Sequence, residues 1–256
     1  MANTVTYELP LNERTRLFLR LEHLFNQSAQ GLEEGKNWAF HLSLNSLCEI
    51  LNILDRIDIK SEALQETDKI RNCLFALQDN PQADLNVIEK VVKRLNDIHT
   101  GLLHFSLTSL PSIRKNEFLT QLRQRLKGPG SPLSYDFPAY HHWLHCSNGE
   151  KVAQLRAWLE DLAPISEAIY TLLELVRSSG MKQRCLAQQG RYHQQFEKGH
   201  QLRLVRLHLE QEVEAYPEMS GNRHRMNVRF FQSTSDTPKS ELTKSDIPFD
   251  ITFCKV

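Results

Sequence analysis

The chain has 256 residues, 31 Lys and Arg against 31 Asp and Glu, 40% apolar residues, and only ten Gly and ten Pro. This length allows about one and a half to two domains with a sizeable core, and the composition excludes a fibrous or largely disordered protein. No apolar run reaches the roughly 18–20 residues of a membrane helix, the opening MANTVTYELPLNER has no apolar h-region, and five scattered cysteines with no CxxC favour free thiols in the cytosol over a disulfide framework or zinc ribbon.

Val5, Tyr7 and Leu9 alternate with Thr4, Thr6 and Glu8, which predicts a short strand ended by Pro10. Asn12 is a suitable N-cap for a helix over 12–27, whose Arg16 and Arg20 share a face at i, i+4. The stretch 30–36, with two glycines, reads as a loop. Apolar residues at helical spacing then predict helices over 38–55, 61–77, 84–103 and 113–126, with Asn80-Pro81 as punctuation and Gly128-Pro129-Gly130-Ser131-Pro132 as a rigid break. A short helix over 135–145 is entered through Asp136 as N-cap and Pro138 in the first turn. Two more, 150–162 and 165–178, are separated by Pro164.

After Gly180 the period changes. Alternation is visible at 203–209, 226–230 and 247–253. Tyr216-Pro217 and Ser220-Gly221-Asn222 are turn signals, and the Ser/Thr/Lys/Asp-rich stretch 232–246 reads as a mobile loop. The expected fold is therefore α+β, a helical domain over 10–182 and a segregated antiparallel β domain built from 183–256 plus the first strand, 1–9. The first strand joins that sheet because a lone strand leaves its backbone groups unpaired.

Catalytic chemistry finds little foothold. There is no GxSxG, no nucleophilic Cys motif, no GxxxxGK[ST] and no GxGxxG after a strand. His141 and His145 share a helical face, but a zinc ion needs three or four ligands and no carboxylate or cysteine motif accompanies them. The expectation is no enzyme, no metal and no cofactor.

The zero net charge hides segregation. Residues 177–206 hold seven bases and one acid, 114–127 five bases and one acid, and 150–174 two bases and five acids. Arg225 and Arg229 have one parity on a predicted strand and are about 13 Å apart along it. Met226, Val228 and Phe230 point the other way, and Arg223 and His224 lie in the preceding turn. If the first strand pairs in that same sheet, Arg16 and Arg20 become neighbours of Arg225 and Arg229. Such a cluster accepts carboxylates or phosphates bidentately. With no net positive charge, zinc finger or RNP motif, nucleic acid is the second reading, an α+β nucleic-acid-associated protein using the basic segments. An acidic peptide needs only a local patch beside apolar pockets.

Three stretches resemble the ZapD family of bacterial cell-division factors: YELPLNERTRLFLRLEHLF (7–25), RQRLKGPGSPLSYDFPAYHHWLH (123–145) and YPEMSGNRHRMNVRFF (216–231). They occur in order at the family's spacing. The resemblance implies a cytoplasmic, non-enzymatic homodimer, recruited to mid-cell, with no membrane partner. It further implies binding to the acidic-apolar C-terminal peptide of the tubulin-like FtsZ and bundling of FtsZ filaments in Z-ring assembly. By motif position the binding residues would be Arg16, Arg20, His141, Arg225 and Arg229, with Arg223 beside them. The sequence departs from the family pattern at PGSPLSYD and at Glu117, where a basic residue is expected and Arg114 or Lys115 stands nearby.

Overall fold

The computed structural model describes residues 4–77, 83–126, 135–197, 202–233 and 240–255. The Gly128–Pro132 break, Asn80-Pro81 and the centre of the 232–246 stretch lie outside them. The described chain is α+β, helices first and antiparallel strands last, and none of its helices is long and apolar enough to cross a membrane. It divides into two compact units, one of residues 18–172 and one of residues 1–17 with 173–256.

The first unit is helical. α1 (Glu13–Glu34) begins in the other unit, where Asn12 Oδ1 accepts from the Thr15 N–H at 2.7 Å and caps it. α1 does not stop at residue 27. It runs through Gly31, and Gly35, with φ +64°, follows its end as a left-handed glycine does. The expected loop over 30–36 includes Gly31, but within α1 its missing side chain serves a close helix crossing. A Cβ there would sit 2.2 Å from Ser43 Oγ and 2.5 Å from the Ala39 carbonyl. At the same crossing Ser28 and Ser43, both buried, donate to each other's carbonyls at 3.1 and 2.8 Å.

Ser43 belongs to α2 (Asn37–Arg56), which buries Phe40, Leu44, Leu47, Ile50 and Leu51. α3 (Ile59–Leu77) and α4 (Leu85–His104) pack on each other, and Asp84 caps α4 by accepting from the Asn86 and Val87 N–H groups. The single helix expected over 113–126 is two: α5 (Pro111–Arg114) and α6 (Glu117–Arg125). Asn116 breaks the run by capping α6 through Leu119 N–H at 3.0 Å, a local side-chain bond that apolar periodicity does not reveal. α7 (Pro138–His145) has Phe137, not Asp136, at its N-cap position with Pro138 at N1. α8 (Asn148–Glu160) opens with a capping box between Ser147 and Glu150. Around α7 the rings of Phe118, Phe137, Tyr140, Trp143 and Trp158 lie 5.7–6.4 Å apart. Buried Lys151 is satisfied by Asn37 Oδ1, the Leu144 carbonyl and the Phe40 ring.

α9 (Ala163–Ser178) leads into the second unit, which is two antiparallel sheets. One has the order β1 (Thr4–Pro10), β4 (Leu202–Glu210), β8 (Ile247–Lys255), β2 (Lys182–Ala187). The other is β3 (Arg191–Gln195), β6 (Arg225–Ser233), β5 (Tyr216–Gly221), with β7 (Ser240–Leu242) also on β6. β2 turns into β3 through Gln189 (φ 48°) and Gly190 (φ 70°), the two positive φ values that a type I′ hairpin turn requires. Gly190 is also required sterically, since a Cβ there would lie 2.6 Å from the Thr243 carbonyl. The sheets share one core: Val205, Leu207 and Leu209 of β4, Phe249 and Ile251 of β8, and Met226, Val228 and Phe230 of β6.

Two expectations are corrected here. Tyr216–Gly221 is an edge strand rather than a pair of turns. An edge strand tolerates Pro217, which needs no donor there. The first strand pairs with β4, in the sheet that does not hold β6. A shared sheet therefore does not bring Arg16 and Arg20 to Arg225 and Arg229.

Candidate partner-binding face

The outer face of β6 carries the exposed basic groups. Strand alternation buries Met226, Val228 and Phe230 and leaves Arg225, Asn227 and Arg229 exposed. Arg223 and His224 sit at the tip of the preceding turn. Asn222 Oδ1 holds that turn, accepting from the His224 and Arg225 N–H groups at 2.9 and 3.2 Å, and Arg223 Nε donates to His224 Nε2 at 3.0 Å.

The neighbouring strands complete the face. β3 sets Arg191 directly opposite Arg229, His193 opposite Asn227 and Gln195 opposite Arg225. β5 sets Glu218 and Ser220 on the other side. His193 Nδ1 and Asn227 Oδ1 are hydrogen-bonded at 2.7 Å. Between these side chains lies an open concavity of about 450 Å³. One step along the strand, Phe231 stacks with Tyr216 (centroids 6.0 Å apart), and the Arg229 guanidinium lies 5.6 Å from the Phe231 ring.

Arg229 has a carboxylate neighbour, Glu218 at 3.3 Å, with both side chains more than half exposed. Such a pair contributes at most about 1 kcal/mol and yields readily to a better anion. Arg191 and Arg225 have no carboxylate partner among the described residues. Arg191 and His193 belong to no motif singled out in the sequence. The signal was the alternation in RYHQQ just after a Gln-Gly turn.

Arg16 and Arg20 share an exposed face of α1, as their spacing requires. Arg16 leans on Glu13 at 3.5 Å, and Arg20 reaches Glu49 at 3.2 Å. His141 is exposed on α7, whose Tyr140 and Trp143 face inward. Its ring lies 4.5 Å from that of His145, whose Nδ1 bonds the His141 carbonyl at 2.8 Å. The named residues are thus spread over both units: Arg20 and His141 in one, Arg16, Arg223, Arg225 and Arg229 in the other.

Six of the twelve bases of the two basic segments form ion pairs within the chain among the described residues. Arg114 (2.8 Å) and Arg123 both pair with Asp55. Arg177 and Arg206 hold Glu8, while Lys182 and Arg184 hold Asp250. Hydrogen bonding to Lys182 keeps the Asp250 carboxyl below its usual range. Burial pushes the Cys48 thiol up to about 12 and Cys254 up to about 11, away from the thiolate that a nucleophile needs. Among the described residues no three His, Cys, Asp or Glu side chains group as a metal ion would require.

A family model described as ZapD, cell division protein, matches residues 19–229. The chain is 36% identical to the cell division protein ZapD of Nitrosomonas eutropha, over 98% of this chain and 100% of the relative. It is 35% identical to that of Nitrosomonas europaea (100% and 97%) and 32% identical to that of Coxiella burnetii (100% of each).

Proposed function

The chain belongs to the ZapD family of cell division proteins, and from that premise we propose that it is a non-enzymatic, cytoplasmic factor that binds the acidic-apolar C-terminal peptide of FtsZ. As a homodimer it cross-links FtsZ filaments into bundles during Z-ring assembly at mid-cell. The observation that carries the reading is the outer face of β6, where Arg225 and Arg229 stand exposed with Arg191 opposite and an aromatic pair beside them. An acidic peptide with apolar residues fits that mixture. Arg16, Arg20, Arg223 and His141 are the further contact residues, each exposed.

A filament carries the peptide on every subunit, so weak single contacts suffice. Once one protomer is engaged, its partner binds at raised effective concentration. Support for a dimer comes from apolar side chains open to solvent on the last turn of α3 (Phe75, Leu77) and the first turn of α4 (Leu85, Val87). The nucleic-acid reading has less to stand on, because Arg114, Arg123, Arg177, Lys182, Arg184 and Arg206 are already paired with carboxylates of this chain.

Co-sedimentation with polymerised FtsZ, beside a gel shift with duplex DNA at physiological salt, tests the proposal. Pelleting with FtsZ and no gel shift is the expected result. A gel shift without pelleting would replace the first reading by the second.

A further inference from the structure

We propose that Arg191 and Arg229 form a two-guanidinium fork that seats one carboxylate of an extended acidic peptide, while the Tyr216–Phe231 ring pair takes an apolar side chain two residues along. The inference rests on the partner-binding reading of this face and names which groups select the partner's chemistry.

Directly opposed residues on antiparallel strands have Cβ atoms about 5 Å apart, and like charges placed so repel. Arg191 and Arg229 are such a pair, and both face outward from a core that Tyr192, Val228 and Phe230 already anchor. Among the described residues Glu218 pairs with Arg229 and not with Arg191. The fork therefore carries an excess positive charge that a bidentate anion relieves, and planar guanidinium groups suit a carboxylate in shape.

The surroundings give the occupant its character. The His193–Asn227 hydrogen bond fixes one wall of the adjoining concavity, leaving room beside the fork. Phe231 lies two residues from Arg229 on the same face, about 7 Å along the strand. Its ring also steadies the Arg229 guanidinium through a cation–π contact at 5.6 Å. In an extended peptide, residues i and i+2 project to one side at that same spacing. An acidic residue followed two positions later by an apolar one matches the fork and the ring pair together.

The test uses the full-length protein and fluorescence anisotropy with two labelled probes, an FtsZ C-terminal peptide and hexaglutamate, with folding checked by circular dichroism. Arg191→Ala is expected to weaken both probes at least tenfold, and Arg191→Lys to recover only part of the loss, since an ammonium cannot bind bidentately. Arg156→Ala, which removes one exposed charge from α8, is expected to change neither by more than twofold. Equal losses in Arg156→Ala and Arg191→Ala would overturn the fork in favour of a general charge effect. An FtsZ peptide bound equally by wild type and Arg191→Ala would overturn the fork and leave the FtsZ reading standing. Arg191-dependent binding of hexaglutamate with no binding of the FtsZ peptide would support the fork and overturn the FtsZ reading. Tighter Arg191-dependent binding of a single-stranded oligonucleotide than of either peptide would overturn the peptide occupant.

Discussion

Glu8 on β1 holds Arg177 at the end of α9 through two parallel bonds, Nε to Oε1 at 2.8 Å and Nη2 to Oε2 at 2.9 Å. The same Oε1 accepts from Arg206 Nε at 2.9 Å, so one carboxylate answers two bases from the most basic stretch of the chain. Glu8→Ala would remove the carboxylate shared by two guanidinium groups, each about three-quarters buried. Full burial makes that loss severe and partial exposure moderates it, so a decrease of about 1–3 kcal/mol is expected. Urea denaturation measures it. An unchanged midpoint would mean that the triad contributes nothing to stability.

On the outer face of the same sheet, His208 bonds Thr6 Oγ1 at 2.9 Å and Thr252 Oγ1 at 3.3 Å. Burial, then the charges of Arg206 and Lys182, depress its pKa below the ordinary 6.5, against smaller opposing effects of Asp250 and Glu8. The unfolded chain therefore takes up a proton at 6.5 that the folded chain still refuses. The stability contributed by neutral His208 is full above that pH and is lost as pH falls toward the folded value. His41, also depressed by burial, acts in the same sense. Denaturation midpoints should be level above neutrality and fall as the medium is acidified below 6.5. His208→Gln should flatten that fall in part, and an equally steep fall in the variant would assign it elsewhere.

The inward-outward pattern of β6 was legible because Met226, Val228 and Phe230 alternate with polar residues over a core, and a half-buried strand has little freedom in its period. Arg191 was not legible, because β3 is short, half exposed and mostly polar. Its register is set by a hairpin turn and by β6, not by its own apolar residues. The position of β1 is not legible for a related reason. Alternation declares a strand but not its partner, and the partners of β1 on β4 lie 194 residues away at the nearest pair, Pro10 opposite Leu204, and 206 at the farthest, Thr4 opposite Glu210, beyond any local signal. Asn116 shows the opposite scale, where one side-chain cap outweighs fourteen residues of helical spacing.

Charge reversal distinguishes the arginines proposed to face a partner from those that hold the fold. Arg225→Glu changes an exposed side chain with no carboxylate partner among the described residues. It should leave circular dichroism and stability within about 0.5 kcal/mol of wild type while abolishing co-sedimentation with FtsZ. Arg123→Ala breaks the pairing with Asp55 and Asn52 and should lower stability while leaving pelleting per folded molecule intact. If Arg225→Glu still bundles filaments, the face assigned to the partner is wrong.

Salt supplies an independent check on the same contact. Exposed charges are screened as the Debye length contracts from about 10 Å at 0.1 M to about 3 Å at 1 M. The arginines of this face are exposed, so wild-type co-sedimentation should fall steeply over that range. Bundling that ignores salt would point to the aromatic pair, not the arginines, as the dominant contact.

Gly31→Ala sets two effects of opposite sign against each other. In an exposed helix the substitution would stabilise by about 1 kcal/mol, because alanine loses less backbone entropy than glycine. Here the added carbon meets Ser43 Oγ at 2.2 Å and the Ala39 carbonyl at 2.5 Å. Ser43 can rotate only by giving up its bond to the Ser28 carbonyl, and the Ala39 carbonyl is backbone within α2 and moves only with the helix. Overpacking of this kind costs about 1–3 kcal/mol, and the lost hydrogen bond adds about 1 kcal/mol more. The net expectation is destabilisation by about 1–3 kcal/mol, read as a lower urea midpoint. Gly101→Ala, in α4 with nothing within 4 Å of the new carbon, should be neutral or stabilising in the same assay. Equal behaviour of the two variants would mean that α1 and α2 are not in close contact at Gly31.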